Sequence, residues 1–178
     1  MFFRKCQKIT TGSGTYARHL NKFYGIPKNK IQLIHNWVDT SAFKFNKNQR
    51  INFRTNEGLS DKDIVFLLVG SVWKPKGFRI ALESFNKVIK TFPDIYLYIA
   101  GKGKDSSYIE DRIKDSDNLK NHVKLLGSFP HSELPSILSG SDIFIIPSTL
   151  NEVLPYTLLE AMSCELPIIA SDIPANRE

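Results

Sequence analysis

Residues 147–172, PSTLNEVLPYTLLEAMSCELPIIASD, decide how the rest of the chain is read. They spell the end of a strand, a loop, a short helix, a turn and another strand. The run Ile143-Phe144-Ile145-Ile146 enters the stretch and Pro167-Ile168-Ile169-Ala170 leaves it. Short β-branched runs that alternate with helical patterns are what strands buried on both faces of a parallel sheet look like. The helix between them is expected to start at Pro155, because proline is tolerated in a first turn whose amide has no partner. Leu158, Leu159, Ala161 and Met162 leave it a narrow polar stripe of Thr157, Glu160 and Cys164. Backbone amides at such a helix start, with the positive end of the dipole, form an anion site. Two carboxylates, Glu152 and Glu160, bracket the loop-to-helix junction with seven residues between them. On spacing alone the plainer reading is favoured: Glu160 on a solvated stripe and Glu152 a loop carboxylate.

Upstream, the same alternation continues. Residues 63–70 form a buried strand ending in Gly70, and from Gly77 the positions Ile80, Ala81, Phe85, Val88, Ile89 and Phe92 keep helical spacing. A strand over 95–100, a helix over 106–119 and a strand over 123–126 follow. Ser132 is placed to cap a short helix carrying Leu134, Ile137 and Leu138. Alternating strands and helices call for an α/β fold, a Rossmann-like parallel sheet with helices on both faces. Ligands of such sheets sit beyond the carboxyl ends of the strands, where Gly70, Gly101, Gly127 and Pro147 all fall. Further back, residues 8–11 read as a strand end, 12–14 as a turn capping a helix through Lys22, and 31–34 as a short strand. Residues 41–60 are polar, lack a sustained period, and read as a linker holding a short helix.

The totals exclude several classes. No run approaches the length needed to span a bilayer, and the start Met-Phe-Phe, followed by Arg4, Lys5 and Lys8, lacks the apolar core of a signal peptide. Cys6 and Cys164 have neither metal nor redox spacing and imply only a reducing compartment. The four histidines are scattered, so no metal site is expected. The net charge of +6 is uneven: residues 1–58 hold eleven Lys/Arg against Asp39 and Glu57. Such a skew suits either solvated faces or contact with an anionic membrane surface. Nucleic acid is not expected, because the aromatics do not interleave with the basic residues as a stacking platform would.

Three loops could do chemistry. Gly70-Ser71-Val72-Trp73-Lys74-Pro75-Lys76-Gly77 leaves the first strand and opens a helix. Gly101-Lys102-Gly103 follows the second strand, and Gly127-Ser128-Phe129-Pro130 the third. Taken alone, each reads more simply as a turn or a lysine-rich solvated loop. A nicotinamide-type dehydrogenase is disfavoured, since no Gly-x-Gly-x-x-Gly follows the first strand.

Together these segments resemble retaining GT-B glycosyltransferases with a Glu-x7-Glu motif, the large bacterial family of group 1 (family 4-like) transferases. Its Ser-x-x-x-Glu-Gly-Leu-Pro-x-x-Leu-Leu-Glu-Ala-Met stands here as residues 148–162, with Val153 in place of one glycine and Glu165 in place of another in the next turn. Its Gly-Arg-Leu-x-x-x-Lys-Gly is matched at Lys76 and Gly77, while Ser71 replaces the arginine. A hydroxyl there can hydrogen-bond a phosphate but neutralises no charge. Its Asn-Gly-Val-Asp crossover is similar to Asn36-Trp37-Val38-Asp39.

The resemblance implies three parts: residues 1–40, the tail of an N-terminal domain and crossover; 41–60, a linker; and 61–178, a nucleotide-sugar-binding domain whose sheet continues further in the family. It implies sugar transfer from a nucleotide-sugar donor with retention, for polysaccharide, lipopolysaccharide or glycolipid synthesis. The acceptor would be a sugar, polysaccharide or lipid-linked molecule, and the setting cytoplasmic, at the inner face of the membrane. No cofactor or metal is implied. The implied donor site comprises Gly70, Ser71, Lys76, Gly101, Gly127, Phe129, Glu152, Leu154, Pro155, Tyr156, Thr157, Leu158 and Glu160. Glu152 and Lys76 would act in catalysis, Glu160 would take the ribose hydroxyls, and the segment at Phe129 would face the base. The rival implication is a module that holds a nucleotide sugar without transferring it, and isolated residues 1–178 are expected to be inactive.

Overall fold

The computed structural model describes residues 5–150 and 153–178. Among the described residues, seven strands and seven α-helices follow one another along the chain. Strand β1 (Ile9–Thr11) leads into helix α1 (Gly14–Tyr24), and β2 (Ile31–Leu33) returns to pair with β1 in parallel. Ser13 caps α1 by accepting from the Tyr16 amide, and Gly25 ends it in the left-handed conformation.

Helix α2 (Lys47–Glu57) then precedes a five-stranded sheet. Its strands are β3 (Ile64–Val69), β4 (Ile95–Ala100), β5 (Val123–Gly127), β6 (Ile143–Ile146) and β7 (Ile168–Ala170). All neighbours are parallel, in the order β5-β4-β3-β6-β7. The chain steps outward one way from β3 and then, through β6, the other way. That reversal leaves a crevice above the carboxyl ends of β3 and β6, where open α/β sheets bind ligands.

The strand runs alternate between two cores. Val65, Leu67, Tyr98 and Ala100 point to one face, which is covered by α2, α6 (Leu134–Gly140) and α7 (Tyr156–Ser163). Leu68, Leu97 and Ile99 point to the other, under α3 (Phe78–Val88), α4 (Ser106–Lys114) and α5 (Asp117–His122). Both faces of the sheet are covered, as the uninterrupted apolar strands required.

Four expectations need correcting. The helix expected over 106–119 is two helices: Ser116 turns the chain and its hydroxyl accepts from the Leu119 amide, capping α5. Ser132 caps nothing; it lies in a 3-10 turn, and α6 starts at Leu134 with Pro135 in its first turn. On α3 the buried stripe is Phe78, Ala81, Leu82 and Phe85, while Ile80, Val88 and Phe92 are exposed. Pro155 is the residue before α7, not its first.

The segment 41–60 is more than a linker. Helix α2 is polar, yet it packs against α6 through two arginines. Arg50 and Arg54 both reach Asp142, at 2.6 and 3.0 Å. Arg54, buried at 4% exposure, also donates to the carbonyls of Ser60, Asp63 and Gly140. Asp142 in turn accepts from the Val65 amide at 2.8 Å, tying the pair to the start of β3.

Candidate functional site

The glycines at the strand ends sit side by side. The Gly70 amide donates to Ala100 and the Gly101 amide to Gly127, at 3.0 and 2.8 Å. A Cβ on Gly101, whose φ is 139°, would lie 1.9 Å from the Gly70 carbonyl oxygen. Only glycine permits two strand-end loops to approach so closely.

The loop after β3 is held against the loop after β6. Residues Lys74–Lys76 make a 3-10 turn that ends at Gly77, φ 76°. A side chain at Gly77 would collide with the Pro147 carbonyl oxygen at 1.9 Å. Thr149 donates to the Pro75 carbonyl through its amide and its hydroxyl, at 2.8 and 3.2 Å. In consequence Lys76, Ser148 and Thr157 line one small cavity of about 20 Å³. Lys76 is half-buried and Ser71 exposed.

Beyond that cavity stands the start of α7, which no side chain caps. Pro155 is buried and extended, Leu154 is half-buried with φ 28°, Tyr156 is 56% exposed, and Leu158 turns its side chain into the core. Leu158 can therefore offer a ligand only its backbone. Asn36 donates to the Leu154 carbonyl at 2.7 Å, fixing this strained turn from the β2 side.

Glu160 departs most from the plainer sequence reading. Its stripe faces inward: Glu160 is 5% exposed and Cys164 2%. His131 Nε2 lies 2.7 Å from Glu160 Oε1, while Oε2 is buried without a partner among the described residues. Burying a carboxylate is costly unless its oxygens are hydrogen-bonded, so Oε2 is an acceptor waiting for a donor. Burial pushes the Cys164 thiol up to about 11, with Glu160 and Glu165 adding to the effect.

Sequence reasoning missed His131. Twenty-nine residues separate it from Glu160, and nothing in its surroundings marks it. Phe129 is half-buried against the core on the α6–α7 side of the sheet. Glu152 lies outside the described residues. The structure thus brings Lys76 and Thr157 to one cavity at the start of α7, where Pro155 precedes the helix, and places Glu160 one turn further along against His131, with Gly70, Gly101 and Gly127 along the strand ends. Among the described residues no helix is long and apolar enough to cross a membrane.

A UDP-Gal:alpha-D-GlcNAc-diphosphoundecaprenol alpha-1,3-galactosyltransferase from Escherichia coli is 34% identical, over 83% of this chain and 38% of its own length. An alpha-galactosylglucosyldiacylglycerol synthase from Streptococcus pneumoniae is 29% identical, over 84% of this chain and 40% of its own. The chain therefore spans less than half the length of either relative. The Anabaena protein HepE, solved in complex with UDP and glucose, superposes with a TM-score of 0.84 over 98% of this chain and 46% of that one, at 18% identity. That likeness is one of fold, the GT-B fold of glycosyltransferases. The sequence model described as Glycosyl transferases group 1 matches residues 49–178. By that match, over most of its length, the chain belongs to the group 1 glycosyltransferase family.

Proposed function

We propose that this chain is the donor-binding part of a glycosyltransferase that moves a sugar from a nucleotide sugar to a polysaccharide or lipid-linked acceptor with retention of configuration. The observation that carries the reading is the buried carboxylate of Glu160, with Oε2 lacking a partner among the described residues, one turn along the uncapped helix α7, whose first-turn Thr157 lines a cavity together with Lys76. A diphosphate seated on the α7 amides would meet fixed positive charge from Lys76 and the helix dipole. Its nucleoside would then reach Glu160, whose Oε2 accepts a ribose hydroxyl. The segment at Gly127 and Phe129 would border the base, and Gly70 and Gly101 leave room for the ligand beside the strand ends. Tyr156 and Thr157 supply amides, and Leu154 sets the angle of approach.

Breaking the sugar–diphosphate bond gathers negative charge on the leaving oxygen. Donors already aimed at that charge act without reorganising, which is how Lys76 and the helix start would assist. Glu152 faces the donor sugar in this reading. No metal or cofactor is needed, because the protein's own cation and amides take that part. The names of the E. coli and S. pneumoniae relatives refer to diphosphoundecaprenol-linked and diacylglycerol-linked molecules, which supports a lipid-linked acceptor; we place it at the cytoplasmic face of a membrane. The basic residues of segment 1–58 would favour that surface.

One observation favours the rival reading, donor binding without turnover: Ser71 supplies no charge where the resemblance implies arginine. On either reading the chain binds donor. Titration with UDP and GDP tests the shared part. Lys76→Ala is expected to weaken nucleoside diphosphate binding by about 1.5–3 kcal/mol, the range for hydrogen bonds to charged groups, with affinity falling as salt rises. Equal affinity in wild type and mutant would return Lys76 to a structural role.

A further inference from the structure

Glu160 does not stand alone in its pocket. Its side chain is 6% exposed, and its side-chain partner among the described residues is an imidazole from the turn after β5. His131 is itself braced. Its ring packs on Phe43, centroid to centroid 5.2 Å at 44°, and Phe43 is 6% exposed. Phe43 is pinned in turn: its amide donates to Asp39 at 2.8 Å, and its carbonyl accepts from the hydroxyl of Ser163 on α7. Three separate segments therefore converge on one carboxylate: the stretch before α2, the turn before α6, and α7.

The chemistry of the contact fixes its direction. An ionised carboxylate only accepts, so His131 donates from Nε2 to Oε1 whether the ring is neutral or protonated. A glutamate left to itself has three rotatable bonds. Here one oxygen is tied down, which leaves Oε2 as the acceptor with a set position. We propose that His131 is a positioning residue for nucleoside recognition: by holding Oε1 it presents Oε2 to a ribose hydroxyl. This rests on the donor-binding reading above and extends it to a residue outside the donor-site motifs.

The consequence is selective. Without His131 the buried carboxylate loses its donor and is free to turn, so contact with the ribose suffers. Contact with the diphosphate, made by Lys76 and the α7 amides, does not. Because the His131 side chain is 69% exposed, truncating it leaves the core intact.

The test is calorimetric titration of wild type, His131→Ala and His131→Gln with UDP and GDP and with their 2′,3′-dideoxy forms, alongside thermal melts. Expected are a cooperative melt, lowered only by the carboxylate's lost partner, and a loss of about tenfold or more for the ribonucleotides in His131→Ala, the scale of one charge-assisted hydrogen bond. The dideoxy forms should lose much less, and His131→Gln, whose amide N–H reaches as Nε2 does, should recover part of the affinity. Wild-type affinity in His131→Ala, or equal losses for ribo and dideoxy forms, would overturn the proposal while leaving donor binding intact. A wild-type protein that binds neither UDP nor GDP would overturn both.

Discussion

Glu165 sits at φ 63°, immediately beyond the end of α7. Its amide donates to Met162 and that of Leu166 to Ala161, at 3.0 and 3.1 Å, the paired bonds of a Schellman stop. The stop demands a left-handed residue, a place that ordinarily suits glycine. In this chain Glu165 accepts the steric cost, about 1–2 kcal/mol for an L-residue, partly recovered because glutamate has less freedom to lose on folding than glycine. Glu165→Gly should accordingly stabilise the protein by about 0.5–1 kcal/mol in urea or thermal unfolding. A destabilised mutant would mean that the turn is not strained. This departure was legible in the sequence as a missing glycine. The other substituted glycine behaves differently: the left-handed residue beside it is Leu154, one position on, held by Asn36. His131 was not legible, since its meaning depends on a contact 29 residues away rather than on its neighbours.

Among the elements, the strands were the easiest to read. The central strands β3, β4 and β6 are short apolar runs, and burial on both faces leaves little else they could be. Helix α2 was the hardest, because KNQRINFRTNE has few apolar residues to show a period, and charge anchors it alongside the single packed ring of Phe53. The anchor is Asp142, which joins Arg50, Arg54 and the Val65 amide. Such a hub has no periodic signature. The two arginines are not equivalent: the Arg54 side chain is 5% exposed, and that of Arg50 27%. Asp142→Ala strands a buried guanidinium and should cost about 3 kcal/mol, the low end for breaking a buried pair because Asp142 is itself partly exposed. Arg50→Ala should cost only about 1 kcal/mol or less. Chemical denaturation of both mutants checks the contrast, and equal losses would contradict it.

At the scale of the whole molecule, the β1–α1–β2 unit is fastened to the larger sheet at its binding end. Glu178 accepts from the first amides of α1, Gly14 at 3.0 Å and Thr15 at 2.6 Å. Asn36 reaches Leu154 from the end of the same unit. Partial burial pushes the Glu178 carboxyl up, but the hydrogen bonds from Thr15, Ser13 and Gly14 outweigh it and hold the group below its ordinary value of 4.5. A lowered carboxyl stabilises the attachment above pH 4.5 and loses that contribution as pH falls through the folded value. Acidification should therefore loosen α1 before the main sheet, seen as early amide exchange in residues 14–24. In Glu178→Gln that early step should no longer depend on pH in this window. If α1 and the main sheet lose protection together in wild type, the fastening is not electrostatic. The pairing of these units was not visible in the sequence, where the basic N-terminal segment and Glu178 lie at opposite ends.

The most direct measurement of the central claim separates the two glutamates by titration with free nucleoside diphosphate and with nucleotide sugar. Glu160 lies one turn along α7 and is assigned to the ribose, whereas Glu152 precedes that helix and is assigned to the sugar. Glu160→Ala is expected to weaken both ligands by about 1.5–3 kcal/mol, one or more hydrogen bonds to a charged group. Glu152→Ala is expected to bind free nucleoside diphosphate as the wild type does and to lose affinity only for the nucleotide sugar. If both mutants lose affinity for the free nucleotide equally, or neither does, the assignment of the donor site is contradicted.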